Sequence, residues 1–329
     1  MKLIQFLKNW ALVISITLGI VSYFIFVALP LSTEVHAATN RIVSVVQPLL
    51  IASMLFLSFC KIKPTDLRLC GWHLWLLLLQ TVLFVIFCTA LLLLPEGPAR
   101  IILEGTMLCL ICPTATAAAV IVDKLGGNAA HLVTYTVLIN LTVSILVPLA
   151  VPLIHPQPDM NFVSAFAAII AKVFPLLICP LLLAWLIRFV CPKLNEHLQH
   201  TGDLAFYLWA VSLCIAIAVS TRSIVHSSVG IVVLALIALM SFLSCIFQFW
   251  AGKRIGKRYD IANDTNHPEK TTAGQALGQK NTVFLIWMCY TFFTPVTAIA
   301  GGFYCIWHNV INSWQLYQRR MQIQREGNK

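Results

Sequence analysis

GQALGQKNT, residues 274–282, sets Gln275 and Gln279 one helical turn apart and follows them with Lys280 and Asn281. The stretch stands where a polar, basic segment ends and an apolar run begins. A bilayer core holds no water to solvate such side chains, so they are costly there and usually functional. A cluster this dense is either the loop end of a spanning helix or the lining of a site. The rest of the chain decides between the two.

Composition places the chain in a membrane. Of 329 residues, 59% are apolar and 10% charged, against roughly 25% charged in a soluble domain. Mean hydropathy is +0.87. The net charge of +10 does not point to nucleic acid, because the basic residues stand at the ends of apolar runs instead of forming one patch. Eleven cysteines show neither metal-ligand spacing nor a disulfide framework. Cys88, Cys109, Cys112, Cys179, Cys214, Cys245 and Cys289 lie inside apolar runs and read as small packing hydrophobes. The run Trp10–Leu29 is followed by Val35–Ala38, which resembles a cleavage site. At 20 residues the run is longer than a signal h-region, and it reads as a first spanning helix.

Ten apolar runs are long enough to span, near residues 10–30, 42–60, 72–95, 100–122, 129–153, 163–190, 204–221, 228–251, 274–293 and 295–314. The longest interruption, 252–272, is polar, contains Asn263, Asp264 and Pro268, and reads as a flexible cytoplasmic loop. With the N-terminus inside, seventeen Lys and Arg fall on the cytoplasmic side, from Lys2 and Lys8 to Lys329. Three, Arg41, Arg100 and Arg222, fall opposite, and Lys172 and Lys280 lie within runs. That asymmetry predicts ten helices with both termini cytoplasmic.

Ten helices divide into two sets of five, residues 1–160 and 161–329. An odd number per set inverts the second relative to the first, as in many secondary transporters. Such folds carry their sites at interrupted helices in matching positions. The fourth run contains CPTATAAA, Cys112–Ala119, and the ninth contains GQALGQKNT. Pro113 removes a backbone donor and breaks or kinks its helix. Thr114 and Thr116 set hydroxyls beside the freed carbonyls. Gly274 and Gly278 are expected to loosen the ninth helix. Gln80, inside the third run, adds a third amide; taken alone it reads as an interhelical hydrogen bond. Lys280 either snorkels to the cytoplasmic interface or sits in the interior, where it holds an anion or titrates. Lys172 is expected at the outer surface. Trp72, Trp75, Trp250, Trp307 and Trp314 lie near run ends, as an aromatic belt would, and His308 and Asn309 read as interface and packing residues. Glu104 is the deepest carboxylate. No catalytic His/Asp/Glu set, GxSxG or phosphate loop occurs, and no enzyme is expected.

Three segments carry a resemblance. KIKPTDL (Lys61–Leu67), CPTATAAAVIVDKLGGNAA (Cys112–Ala130) and FYCIWHNVINSW (Phe303–Trp314) are similar, in that order, to the signatures of the bile acid:sodium symporter family. The resemblance implies an all-α polytopic protein. It implies ten transmembrane helices in two inverted five-helix repeats, panel and core domains formed from both, and crossing discontinuous helices 4 and 9. It also implies a small or amphipathic organic anion, bile acid or carboxylate-like, carried with sodium by alternating access.

The departures from that pattern concern the ion. The family's sodium-binding Ser-Asn pair corresponds to Ala118 and Ala119, and the two glycines before it to Thr114 and Ala115. A serine on the fifth helix is Leu132, with Thr136 one turn on. The glutamate shared by both sodium sites is Gln275; the glutamines one turn later and on helix three are kept as Gln279 and Gln80. The next asparagine is Lys280 or, with one insertion, Asn281. The expected substrate-binding residues are therefore Thr114, Thr116, Gln275, Gln279, Lys280 and Asn281. A degenerate ion site comprises Gln80, Thr136, Gln275 and Gln279. No cofactor is expected beyond sodium or a proton as coupling ion. Sodium coupling is in question, with a symporter keeping one sodium site and a non-transporting membrane sensor as alternatives. The expected setting is a plasma membrane, the inner membrane if the source is bacterial, with lipid and the anion as partners and a monomer or homodimer as the unit.

Overall fold

The computed structural model describes residues 10–30, 32–156, 158–201, 204–227, 229–261 and 267–327. Among these there is no strand. The helices are α1 (Ala11–Ala28), α2 (Thr33–Cys60), α3 (Gly71–Leu93), α4 (Pro98–Ile111), α5 (Ala118–Lys124), α6 (Ala129–Ile154) and α7 (Phe162–Val190). They continue with α8 (Pro192–Gln199), α9 (Leu204–Val225), α10 (Ile231–Gly256), α11 (Pro268–Gly278), α12 (Thr282–Phe292) and α13 (Ala298–Gly327).

Local chemistry sets several starts. The side chains of Ser32, Asn128, Asn161 and Asn281 accept from Val35, His131, Ser164 and Phe284 N–H groups, capping α2, α6, α7 and α12. Both α4 and α11 begin with proline at the first helical position, entered through a positive-φ residue, Gly97 (φ 155°) and His267 (φ 46°).

Among the described residues seven helices are long and apolar enough to cross a membrane: α1, α2, α3, α6, α7, α9 and α10 with the turn after it. Their outer faces expose large apolar side chains such as Leu74, Phe189 and Ile231, which a lipid environment would cover. The fourth and ninth runs are each split, into α4 and α5 and into α11 and α12. A half of 11 residues rises only about 17 Å, short of a ~30 Å hydrocarbon core.

The described residues of 252–272, a stretch expected as a loop, are mostly helical. α10 runs on to Gly256, a 3₁₀ turn covers Lys257–Tyr259, and α11 begins at Pro268. The cause is close packing: a Cβ on Gly252 would meet Ala273 O and one on Gly256 would meet Glu269 O. Asp260 Oδ1 then accepts the N–H groups of Glu269 (2.7 Å) and Lys270 (3.3 Å) at the start of α11. Asn263 and Asp264 of that stretch lie outside the described residues, as do Lys2, Lys8 and Lys329.

The contacts sort the helices. α1, α2, α7 and α9 pack on one another (α1 on α9, α2 on α7 and α9), while α3–α6 and α10–α13 form a second group. Within and between the groups, contacts recur at matching places of the two halves. α3 packs on α4 as α10 packs on α11, and α4 meets α10 as α11 meets α3. Likewise α3 meets α6 as α10 meets α13, α5 meets α6 as α12 meets α13, and α1 meets α9 as α7 meets α2.

Candidate functional site

The two helix breaks touch. α4 ends at Ile111, and Cys112 turns extended with ψ 137° before Pro113. α11 ends at Gly278, with Gln279 extended at ψ 98°. Between them Thr114 and Lys280 form an antiparallel bridge. Ala115 N donates to Gln279 O and Asn281 N to Pro113 O, both at 2.8 Å.

Breaking two helices leaves carbonyls without their usual donors, and each must find another. Cys109 O would pair with residue 113, but proline has no N–H; Gln248 Nε2 donates to it at 3.2 Å. Leu110 O takes Gln80 Nε2 at 2.6 Å. Ala276 O takes Thr114 Oγ1 at 2.7 Å, and Gly278 O takes Tyr304 OH at 2.9 Å. Two tyrosines complete the scheme. Tyr135 OH donates to Gln80 Oε1, and Gln248 Nε2 also donates to Tyr304 OH at 2.9 Å. The Gln80–Tyr135 couple joins α3 to α6, and the Gln248–Tyr304 couple joins α10 to α13. The break thus persists because four side chains replace its missing backbone bonds.

Against this frame the predicted residues separate. Thr114, Gln279, Lys280 and Asn281 meet at the crossing, with Thr116 half-buried in the first break. Lys280 is 1% exposed, so it does not snorkel, and among the described residues its Nζ has no hydrogen-bond acceptor. The thiols of Cys109, Cys112 and Cys245 lie within electrostatic range of it. Gln275 sits one turn back, its Nε2 donating to Asn312 Oδ1 (3.0 Å) and Gln315 Oε1 (3.4 Å) on α13. The side-chain amide oxygens (Oε1) of Gln275 and Gln279 are buried without a donor among the described residues. Asn281 is committed to capping α12, and Thr114 to Ala276 O. Thr136 is buried on α6 and bonds Leu132 O within its own helix. Gln80 has both amide ends engaged.

Several expectations need correction. Gly278 is the last residue of α11, at the break, whereas Gly274 lies inside the helix and does not interrupt it. They bring α11 against α10: a Cβ on Gly274 would stand 2.6 Å from Lys253 Cγ, and one on Gly278 would enter the Phe249 ring. Trp72 is not in a belt. It is fully buried, and its Nε1 donates to Glu269 Oε2 at 2.7 Å. Trp307 bonds Ser241 Oγ at 3.1 Å, while Trp75, Trp250 and Trp314 are exposed as expected. Cys179 is exposed on α7 and does not pack in the core. Lys172 is exposed, its ammonium 6.0 Å from the Phe292 ring centroid. His308 is buried beside Tyr304.

The chain matches no protein-family model and no curated protein.

The sequence reading missed Gln248, Tyr135, Tyr304 and Glu269. Gln248 carried the same signal as Gln80, an amide inside an apolar run. Glu269 was hidden because its segment was read as loop. Glu104, flagged by depth, is 1% exposed and receives Arg100 Nε (3.3 Å) and Thr297 Oγ1 (3.2 Å), with His155 Nε2 at 3.0 Å. Arg100 in turn caps Leu91, Leu94 and Ile154 carbonyls. This is an anchoring network, distinct from the crossing.

Proposed function

We propose that the protein is a secondary membrane carrier for a small or amphipathic organic anion, bile acid or carboxylate-like, and that Lys280 is the group that receives the anion. One observation carries the reading. Two broken helices cross deep in the protein and hold an ammonium there that no described protein group accepts. A buried unpaired charge is expensive, and it is tolerated where a ligand completes it. An anion entering between Thr116, Gln279 and Lys280 would supply that partner.

The proposal includes ten crossings, the split helices each counting once, arranged as two inverted five-helix sets. The paired helix contacts and the two Gln–Tyr couples support it. Gln80 and Gln248 stand 168 residues apart, Tyr135 and Tyr304 169, and Thr114 and Lys280 166. Spacings that agree to within three residues are what a two-fold repeat gives. Transport would follow as α3–α6 and α10–α13 move against α1, α2, α7 and α9, opening the crossing to each side in turn. The plasma-membrane setting, the resemblance to bile acid:sodium symporters and the cytoplasmic termini belong to the same proposal.

Coupling to sodium is not part of it. Ala118 and Ala119 offer no side-chain oxygen, Gln80 Oε1 is taken by Tyr135, and a cation beside Lys280 would be repelled. One observation favours a second reading: the Gln275 and Gln279 oxygens are buried without donors and could hold a single sodium. Counterflow in proteoliposomes, loaded with a panel of bile acids and short carboxylates, tests both. Uptake that survives replacement of sodium by choline supports the first reading. Uptake strictly dependent on sodium supports the second, and binding without counterflow removes both.

A further inference from the structure

Away from the crossing, at the start of α11, lies a cluster that transport does not use. Glu269 is 9% exposed. Its Oε2 accepts Trp72 Nε1 at 2.7 Å, and its Oε1 lies 2.8 Å from His131 Nδ1 and 3.5 Å from Asn128 Nδ2. Cys70, at the N-cap of α3, adds a free, half-buried thiol. One ligand atom each from Cys70, His131 and Glu269 lie within 4.8 Å of one another. His73 ties this geometry together: its Nδ1 accepts Cys70 N–H at 2.9 Å and its Nε2 meets His131 O at 3.0 Å.

A histidine–carboxylate pair alone would account for His131 and Glu269, but it gives no reason for a thiol converging on them from a third segment. We propose that Cys70, His131 and Glu269 bind a zinc-class transition metal ion, with water in the fourth position. Sulfur, imidazole and carboxylate together fit zinc; calcium and magnesium prefer oxygen alone. A tetrahedral ion needs its nitrogen and oxygen ligands about 3.4 Å apart and sulfur about 3.6 Å from either. His131 Nδ1 and Glu269 Oε1, now 2.8 Å apart, would open by about 0.6 Å as the ion replaces the proton between them. The thiol would close by about 1.2 Å at most. Binding breaks the Cys70 S–H bond and forms a sulfur–metal bond, while His131 gives up its Nδ1 proton and forms a nitrogen–metal bond; the thiol proton leaves to solvent, the imidazole carries its proton on Nε2, and nothing is oxidised or reduced. Trp72 and Asn128 would orient the ligating carboxylate from behind, as outer-shell donors do in metal sites. The ion would clamp α3 and α6 to α11, the helix whose far end carries Gln279 and Lys280.

The test uses the full-length protein, purified in detergent and stripped with chelator. Zinc is titrated against a chromogenic chelator, and cobalt(II) is followed by its thiolate charge-transfer band. A single ion per chain with that band is expected. Cys70→Ser, which keeps a capping oxygen for α3, should abolish the band and weaken zinc binding at least about tenfold. Glu269→Gln should also weaken it, while Cys191→Ser, at an exposed thiol elsewhere, should change nothing. No stoichiometric binding, or zinc affinity unchanged in Cys70→Ser, overturns the proposal.

Discussion

Replacing Lys280 by methionine separates a binding role from a structural one, because the two predict opposite signs. Methionine has nearly the length of lysine and no charge. The Lys280 ammonium is 1% exposed and has no acceptor among the described residues. Removing it from the empty protein should therefore relieve strain. Replacement of buried ionic groups by apolar ones of similar volume is neutral or stabilising by about 1–4 kcal/mol. Lys280→Met should then melt at the same temperature as the wild type or a few degrees above it. Anion binding moves the other way. An anion about 4 Å from the ammonium gains about 4 kcal/mol at an effective dielectric near 20. Part of this offsets desolvation of the anion, leaving about 2 kcal/mol or more, which corresponds to an affinity loss of at least about 30-fold. The assay is paired: thermal unfolding with and without the anion, and counterflow in proteoliposomes. A variant more stable when empty, no longer stabilised by anion and inactive in counterflow fits the reasoning. Counterflow within twofold of wild type, or an empty variant several degrees less stable, refutes it.

Other perturbations probe the frame around the lysine. Tyr304→Phe removes the donor to Gly278 O and should cost about 1–3 kcal/mol, read as a lower unfolding midpoint. Tyr135→Phe should cost a similar amount by leaving Gln80 Oε1 without its donor. Gly278→Ala drives a methyl into the Phe249 ring and should destabilise by about 1–3 kcal/mol, whereas Gly230→Ala, with open space around it, should stay within about 0.5 kcal/mol; thermal melts of the pair check the contrast. Glu104→Ala removes the buried carboxylate beside Arg100 and leaves it only the exposed Glu96, and should cost about 3 kcal/mol, enough to lower the yield of folded protein on size-exclusion chromatography.

The helices were legible because their apolar runs are long and their ends are marked. Pro98, Asn128, Asn161 and Pro268 each stand where a helix begins. The breaks were legible for the same reason, since Pro113 cannot serve Cys109 O, and a polar stretch cannot lie in lipid. What the sequence hid was approach. Gly252, Gly256, Gly274 and Gly278 read as flexible or polar segments, yet they are the contact surface of α10 and α11. A glycine that loosens a helix and one that lets a neighbour touch it look identical in one dimension. Trp72 was hidden similarly: its place near a run end fits a lipid belt, and only the arrival of Glu269 from nearly 200 residues away gives its indole a partner inside. Gln80 carried two readings, ion ligand and interhelical bond. The second is the one whose atoms are accounted for.

The same accounting isolates the site. Two glutamine–tyrosine couples flank the breaks, Gln80 with Tyr135 and Gln248 with Tyr304. Each couple serves a carbonyl released by a break. At the centre, Thr114 and Lys280 face each other across the bridge and behave differently. Thr114 spends its hydroxyl on Ala276 O and vanishes into the frame. Lys280 spends nothing. Among the described residues at the crossing, the Lys280 ammonium is buried without an acceptor, which concentrates the chemistry of the crossing in that residue. The open side-chain oxygens of Gln275 and Gln279 lie on the same segment, with Gln248 Oε1 of the adjoining α10 also without a donor among the described residues. The asymmetry therefore lies in the second break, and variants there should change ligand recognition while variants of the Gln–Tyr couples change stability.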